Sequence, residues 1–332
     1  MKLAVLCDDP HGPVVRHRIR AVEPELRASG FDSIDYHAIP DRLTARLVAL
    51  RTLRDADLVV LVRKLFTLLE LRAARNSSRR LCYDLDDAVM FRDPFRGRPV
   101  SHVRRRRFRN TVRSADLVTA GNAYLLGLAE EDAPKTKRLL ASTPIDTERF
   151  TPGPSPHSGF RVGWIGSGAT RGYLDLVLPG LRDVCEARAD AVVAVMADAP
   201  PEQFDGVRVD FTRWSQTGEV AFLRSLDVGL MPLSDDPFSR GKCGFKLLQY
   251  MACGVPSVAS PVGVNVAICD AGRAGLLAAS PDDWAPAILR LAADPCAAQT
   301  MAASARRLVE ERWSSRVLGR AYAAALAECA RA

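Results

Sequence analysis

Residues Gly241 to Gly263 read GKCGFKLLQYMACGVPSVASPVG. Phe245, Leu248 and Met251 recur at helical spacing, Gly254 closes the run, and Pro256 to Ser260 resumes as a strand. Gly241 and Gly244 let a backbone approach a ligand closely. Lys242 and Lys246 fall near the start of the helix, where the partial positive charge of the helix end disfavours cations unless an anion docks there. The stretch predicts a phosphate cradle that opens a short helix and leads into a buried strand. An ordinary helix with two solvated lysines fits the same spacing, so the decision comes from what surrounds it.

Outward from that stretch, strands and helices alternate along the whole chain, which predicts parallel sheets. LAVL (3–6), DLVVLV (57–62), LCYDL (81–85) and DLVTA (116–120) read as strands, with a helix over Arg16 to Ala28. TPGPSPHSG, 151–159, is rich in proline, glycine and serine and reads as a linker. The alternation then restarts with FRVGWIG (160–166), AVVAVMA (191–197), VRVDF (207–211), DVGLMPL (227–233) and VPSVAS (255–260). The expected fold is α/β: two doubly wound, Rossmann-like domains, 1–150 and 160–313, facing a cleft, with a C-terminal helix over 314–332. From Asp282 the tail is alanine-rich and helical, with Trp284 and Trp313 as anchors.

The bulk properties fit this. A chain of 332 residues is comfortable for two cores, and 48% hydrophobic with 26% charged residues describes an ordinary globular protein. No apolar run is long enough to span a bilayer, and MKLAVLCDDPHG meets acid too soon for a signal peptide, so a cytoplasmic location is expected. The eight cysteines are scattered without a CxxC pair, which argues for reduced thiols and no structural zinc. Net charge is +7, and Arg96 to Arg113 holds eight arginines and no acid. Nucleic acid is one reading of that run, but aromatics beyond Phe108 and any nucleic-acid fold motif are missing. A solvated helix ranks first. Contact with a phosphorylated acceptor, or peripheral contact of Arg104, Arg105, Arg106 and Arg107 with an anionic membrane at the inner face, ranks second.

In open parallel sheets ligands bind beyond the carboxyl ends of the strands. The first domain places carboxylates and arginines there: Asp84, Asp86 and Asp87, then Arg63, Asn122, and Gly12, Arg16 and Arg18 in the loop after the first strand. The second places glycines, hydroxyls and cations: Gly166, Ser167 and Thr170 in GSGATRG, Arg213 and Trp214, and Lys242, Cys243, Gly244, Phe245, Lys246 and Gln249. Two unlike sets suit a phosphate-bearing donor on the second domain and an acceptor on the first. Asp86 or Asp87 is the candidate to orient an acceptor hydroxyl, while Arg16, Arg18 and Arg63 pair with the remaining acids. GSGATRG approximates a dinucleotide fingerprint, but Arg171 replaces its third glycine and no acid stands at the ribose-binding distance, so a nicotinamide site is set aside. DLDD suits magnesium chemically. An acceptor role ranks above it, and neither a metal nor a cofactor is expected. The five histidines show no ligand spacing.

The same segments resemble the GT-B nucleotide-sugar glycosyltransferases, specifically the retaining family-four enzymes (glycosyl transferases group 1). The resemblance is carried by the opening stretch together with YDLDDAV (Tyr83–Val89), ADLVTAGNAYL (Ala115–Leu125), TPIDTERF (Thr143–Phe150), VGWIGSGAT (Val162–Thr170) and LDVGLMPL (Leu226–Leu233). It implies a nucleoside diphosphate sugar as donor, an acceptor such as a glycan, lipid-linked saccharide or small natural product, retention of the anomeric configuration, metal independence, and a last helix that crosses back to the first domain. It implies that Lys246 neutralises the diphosphate and that position 249 holds the donor ribose. The family's two glutamates, seven residues apart, are Gly241 and Gln249 here, and its first-domain histidine has no clear match near Asp84 to Asp86. Those departures leave two rivals in view: a nucleotide-sugar epimerase of the same architecture, and a catalytically silent nucleotide-sugar-binding partner.

Overall fold

The computed structural model describes residues 1–154, 156–201 and 204–332. Ser155, inside the expected linker, lies outside the described residues. Among the described residues twelve strands form two six-stranded sheets, and every pairing within the sheets is parallel.

The first sheet has the order β2-β1-β3-β4-β5-β6, built from β1 (Lys2–Cys7), β2 (Ser33–Ala38), β3 (Leu58–Val62), β4 (Arg80–Leu85), β5 (Leu117–Ala120) and β6 (Lys137–Leu140). Its central strand β3, LVVLV, is buried at every position, as expected of a strand covered by helices on both faces. The expected single helix over Arg16 to Ala28 is instead two helices, Pro13–Arg18 and Glu23–Ala28, joined by a 3₁₀ turn at Arg20–Val22. Pro24 accounts for the second start: it has no N–H to donate and is tolerated only in a helix's first turn.

The second sheet comprises β7 (Phe160–Ile165), β8 (Ala191–Ala197), β9 (Val209–Arg213), β10 (Val228–Met231), β11 (Ser257–Ala259) and β12 (Leu276–Leu277), in the order β12-β11-β10-β7-β8-β9. Read from β9 this is the 3-2-1-4-5-6 order of doubly wound nucleotide-binding folds, with the change of direction between β7 and β10. The first sheet changes direction between β1 and β3.

The chain divides into two compact units. The first contains Met1–Pro144, Asp236–Cys243 and Ser315–Ala332; the second contains Ile145–Asp235 and Gly244–Ser314. The last helix, Ser315–Arg331, belongs to the first unit, where Tyr322, Ala323, Leu326 and Ala327 join a core with Leu3, Val5, Ile19 and Val22.

At the centre of the first unit is a buried ion pair. Arg18 Nε and Nη2 each donate to Asp84 at 2.7 Å, with Asp84 fully buried and Arg18 3% exposed. Asp84 also accepts from the hydroxyls of Thr119 and Tyr322, and Arg18 also donates to the Ala141 carbonyl and Thr143 Oγ1 at 3.0 Å. Burial pulls the Arg18 pKa down, but the facing carboxylate more than reverses this and raises it. Asp84 and Arg18, expected among the acceptor-binding residues, are therefore committed to each other, because a buried charge is tolerable only when paired and saturated with hydrogen bonds. Arg18→Met, which leaves Asp84 uncompensated, is expected to cost about 3–5 kcal/mol of stability. The double variant Arg18→Met/Asp84→Leu is expected to recover part of it. Urea unfolding midpoints of the three proteins check this.

Candidate functional site

In the second unit, β7 ends in a tight turn. Ser167 N–H donates to Thr170 Oγ1 at 3.1 Å, and Thr170 N–H donates to the Ser167 carbonyl at 2.8 Å, shaping the 3₁₀ turn Gly168–Thr170. Gly168 N–H donates to Asp198 Oδ1 at 2.6 Å, so the acid after β8 holds the glycine loop. Gly166 must be glycine, since a Cβ there would collide with the Trp164 ring.

The helix Phe245–Ala252 begins at Gly244, whose φ of 68° is left-handed and whose Cβ position is occupied by Ile268. That helix start has no side-chain cap and no acid in its first turn. Lys246, half-buried, holds its ammonium 5.3 Å from the centroid of Trp164, within cation–π range. Trp164 is on β7, one of the two strands where the sheet changes direction. Gly166, Ser167 and Thr170 thus follow β7, and Lys246, on the helix that opens at Gly244 and Phe245, reaches back to the Trp164 ring on that strand. Arg213 and Trp214 follow edge strand β9; Arg213 donates to the Asp198 carbonyl at 3.0 Å, and Trp214 is 36% exposed.

Gln249 has a partner that the sequence did not reveal. It is 3% exposed, and its amide donates at 2.9 Å to Oε1 of Glu219, itself 2% exposed. Arg149 closes the other side of Glu219 at 2.7 Å. The sequence reading missed Glu219, which looks in TGEVAFLR like any acid opening a helix. Its presence gives a physical reason for glutamine at 249: a second carboxylate at that distance would face unbalanced like charge in a buried place.

In the first unit, Arg63 connects the remaining acids. It follows β3 with a φ of 61°, a left-handed conformation rarely adopted by a side chain of this size. The position is fixed from both sides: its N–H donates to the Asp84 carbonyl at 2.9 Å, and its own carbonyl accepts from the Tyr83 hydroxyl at 3.3 Å. The guanidinium lies 2.9 Å from Asp86 Oδ1 and pairs with Asp87. Arg16, half-buried, turns to the ring of His17, and Gly12 caps the helix Pro13–Arg18 with its N–H on the Asp9 carbonyl.

Lys242 and Cys243, expected on the donor side, belong to this cluster instead. Lys242 Nζ is 3.5 Å from Asp87 Oδ1 and 4.6 Å from the Phe238 ring centroid. Cys243 Sγ donates to the Asp86 carbonyl at 3.1 Å, and burial pushes its thiol up to about 12. Gly121 makes room for that sulfur, since a Cβ there would collide with it. Asn122, expected to touch the acceptor, is 3% exposed. It caps the helix Ala123–Asp132 and donates to the Lys242 carbonyl at 3.1 Å. Gly241 is set by protein packing: a Cβ there would collide with Ala88, which leaves no room for the family's glutamate. No group of three or more histidines, cysteines and acids is placed to hold a metal among the described residues.

Residues 159–294 match the family described as Glycosyl transferases group 1. No curated protein matches the chain. Among solved structures, HepE of Anabaena, crystallised with UDP and glucose, superposes with a TM-score of 0.75 at 17% identity, covering 99% of this chain and 100% of that one. Sucrose-phosphate synthase of Thermosynechococcus elongatus gives 0.74 at 15% identity over 97% of each chain. A glycosyltransferase of Rickettsia africae gives 0.75 at 11% identity, over 99% and 98%. The two Rossmann-like units are those of the GT-B fold. The resemblance to group 1 glycosyltransferases rests on sequence over 159–294 and on fold across the chain.

Lys242 carries a pH signature. Burial, and then the Arg63 charge, lower its pKa from 10.5 to about 8. A base whose folded pKa lies below its unfolded value binds fewer protons when folded, so its contribution to stability rises as pH climbs from about 8 towards 10.5. The chain has six lysines, so ¹³C-dimethylation gives few signals. One resonance, missing in Lys242→Met, is expected to titrate near pH 8, well below an exposed lysine.

Proposed function

We propose that the chain is a glycosyltransferase that moves a sugar from a nucleoside diphosphate sugar to a hydroxyl acceptor, with retention and without a metal. UDP-sugars are the first donors to try, because HepE is described with UDP and with UDP-glucose. The observation that carries the reading is Lys246: a cation on an acid-free helix start, held over β7 where the sheet changes direction, inside the segment that matches the group 1 family.

Charge accumulates on the leaving diphosphate as the glycosidic bond breaks. A fixed ammonium and a helix N-terminus favour that state over the ground state. The glycine turn Gly166–Thr170 lets donor phosphate approach the backbone closely. Gln249 then meets the ribose through whatever its amide leaves after donating to Glu219, and Arg213 and Trp214 border the base. On the first unit, Asp86 or Asp87 accepts a hydrogen bond from the acceptor hydroxyl, with Arg63 and Lys242 balancing the carboxylates. Retention follows a front-face course in which the leaving phosphate takes the acceptor proton. Metal independence is supported by these pairings, since each acid already faces a cation and the diphosphate has Lys246.

Incubation with UDP-sugars, with and without saccharide acceptors, tests the reading. Transfer supports it, isomerisation of the donor alone indicates an epimerase, and binding without turnover indicates a silent relative. Transfer is expected to survive EDTA; loss that magnesium restores would give the acids a metal role. Lys246→Ala is expected to weaken UDP binding by roughly 2–5 kcal/mol while leaving uridine binding nearly unchanged. Calorimetry decides, and equal UDP affinity in the two proteins would remove Lys246 from the donor site.

A further inference from the structure

Four residues after Asp87, the chain makes a small hairpin. Phe91 bridges Val100 antiparallel, Arg92 N–H donates to the Pro99 carbonyl at 2.9 Å, and Asp93 caps the turn Pro94–Arg96. The helix His102–Ser114 follows, capped by Ser101. Its inner face is buried through Phe108, Thr111 and Val112.

The arginines of this region fall into two sets. Arg104 donates to the carbonyls of Val89 and Phe91, Arg105 and Arg109 pair with Asp132, and Arg113 donates to the Asp132 carbonyl. These four fasten the helix to the protein, so Arg104, although exposed, and Arg105 already have partners within it. Arg92, Arg98, Arg106 and Arg107 have no acidic partner among the described residues. Arg106 and Arg107 follow Val103 by three and four positions, which puts all three on one helix face.

Apolar side chains stand among these cations where water would normally exclude them. Phe95 is 46% exposed, Val100 52% and Val103 51%. Between Phe91 and Ser114 the sole acid is Asp93, and its carboxylate is turned to the Phe95 N–H. Cations without counter-charge attract a polyanion, whereas exposed aliphatic side chains gain only where they leave water. An anionic bilayer offers both at once; a nucleic acid offers charge and a stacking partner for Phe95, but no apolar phase for Val100 and Val103.

We propose that the hairpin 91–100 and the outward face of His102–Ser114 dock on an anionic lipid bilayer, with Phe95, Val100 and Val103 entering the headgroup region. Because this surface begins four residues beyond Asp87, it would bring the first-unit acids to a membrane-borne acceptor. That last step rests on the glycosyltransferase reading; the docking itself does not.

Sedimentation with vesicles of phosphatidylcholine alone, or mixed with phosphatidylglycerol, tests the docking without donor or acceptor. The wild-type chain is expected to pellet with the mixed vesicles and to be released by salt. Arg98→Glu/Arg106→Glu/Arg107→Glu is expected to lose about tenfold or more of that affinity. Phe95→Ser/Val103→Ser, with all charges intact, is expected to weaken binding several-fold. UDP binding by each variant shows that it is folded, and failure of UDP to bind the wild type would count against the proposed function alone. Absence of wild-type binding to the mixed vesicles overturns the proposal. So does unchanged binding by the charge-reversed variant. Binding to poly(U) as tight as to vesicles, with no effect of the serine variant, would make the surface a nucleic-acid site instead.

Discussion

The first unit is organised around one buried ion pair. Arg18 and Asp84 saturate each other, and their remaining hydrogen-bonding positions reach Thr119 on β5, the 141–143 loop and Tyr322 on the last helix. Five stretches of chain, counting those that carry Arg18 and Asp84, thereby meet at one ion pair. The consequence for the site is indirect but strong. Because Asp84 points inward, the backbone turning away from it presents Asp86 and Asp87, and the Asp84 carbonyl holds the Arg63 backbone in its left-handed conformation. The cations near the outer acids depend on a geometry set by the inner one.

Much of the fold was legible because parallel strands covered on both faces read as unbroken apolar runs, as 58–62 and 191–197 do. The strands that went unread are edge or near-edge elements. β2, SIDYHA, and β6, KRLL, are half-exposed and carry no apolar run, and β12 has two residues. Strand β9 lies two positions beyond its expected place for the same reason: VDFTR is an edge strand with polar positions facing water. That Gly166, Ser167, Thr170 and Lys246 follow strands of the second sheet was legible because each comes directly after an apolar run or opens a helix at a glycine.

What the sequence concealed were partners brought from elsewhere in the chain. Gly241 and Gln249 looked like losses from a family pattern. Each is matched by a neighbour that occupies the space or carries the charge, Ala88 for Gly241 and Glu219 for Gln249. Neither neighbour lies within 20 residues of its partner, so spacing had no means of revealing it. Lys242 was misassigned by the opposite error. Adjacency to Gly244 suggested a shared role, yet the chain passes from one unit to the other between Cys243 and Gly244.

The first unit is assembled from three separate stretches, the last of which is Ser315–Ala332. A ribosome delivers these stretches in order, so strands β1 to β6 exist long before Tyr322 arrives to complete the surroundings of Asp84. The second unit, by contrast, has all its strands before residue 278. Chain connectivity therefore imposes a sequence on folding: the second unit is able to close while the first still has an open face over its buried charges. The synthesis of Ser315–Ala332 becomes the moment at which the first unit gains its full core.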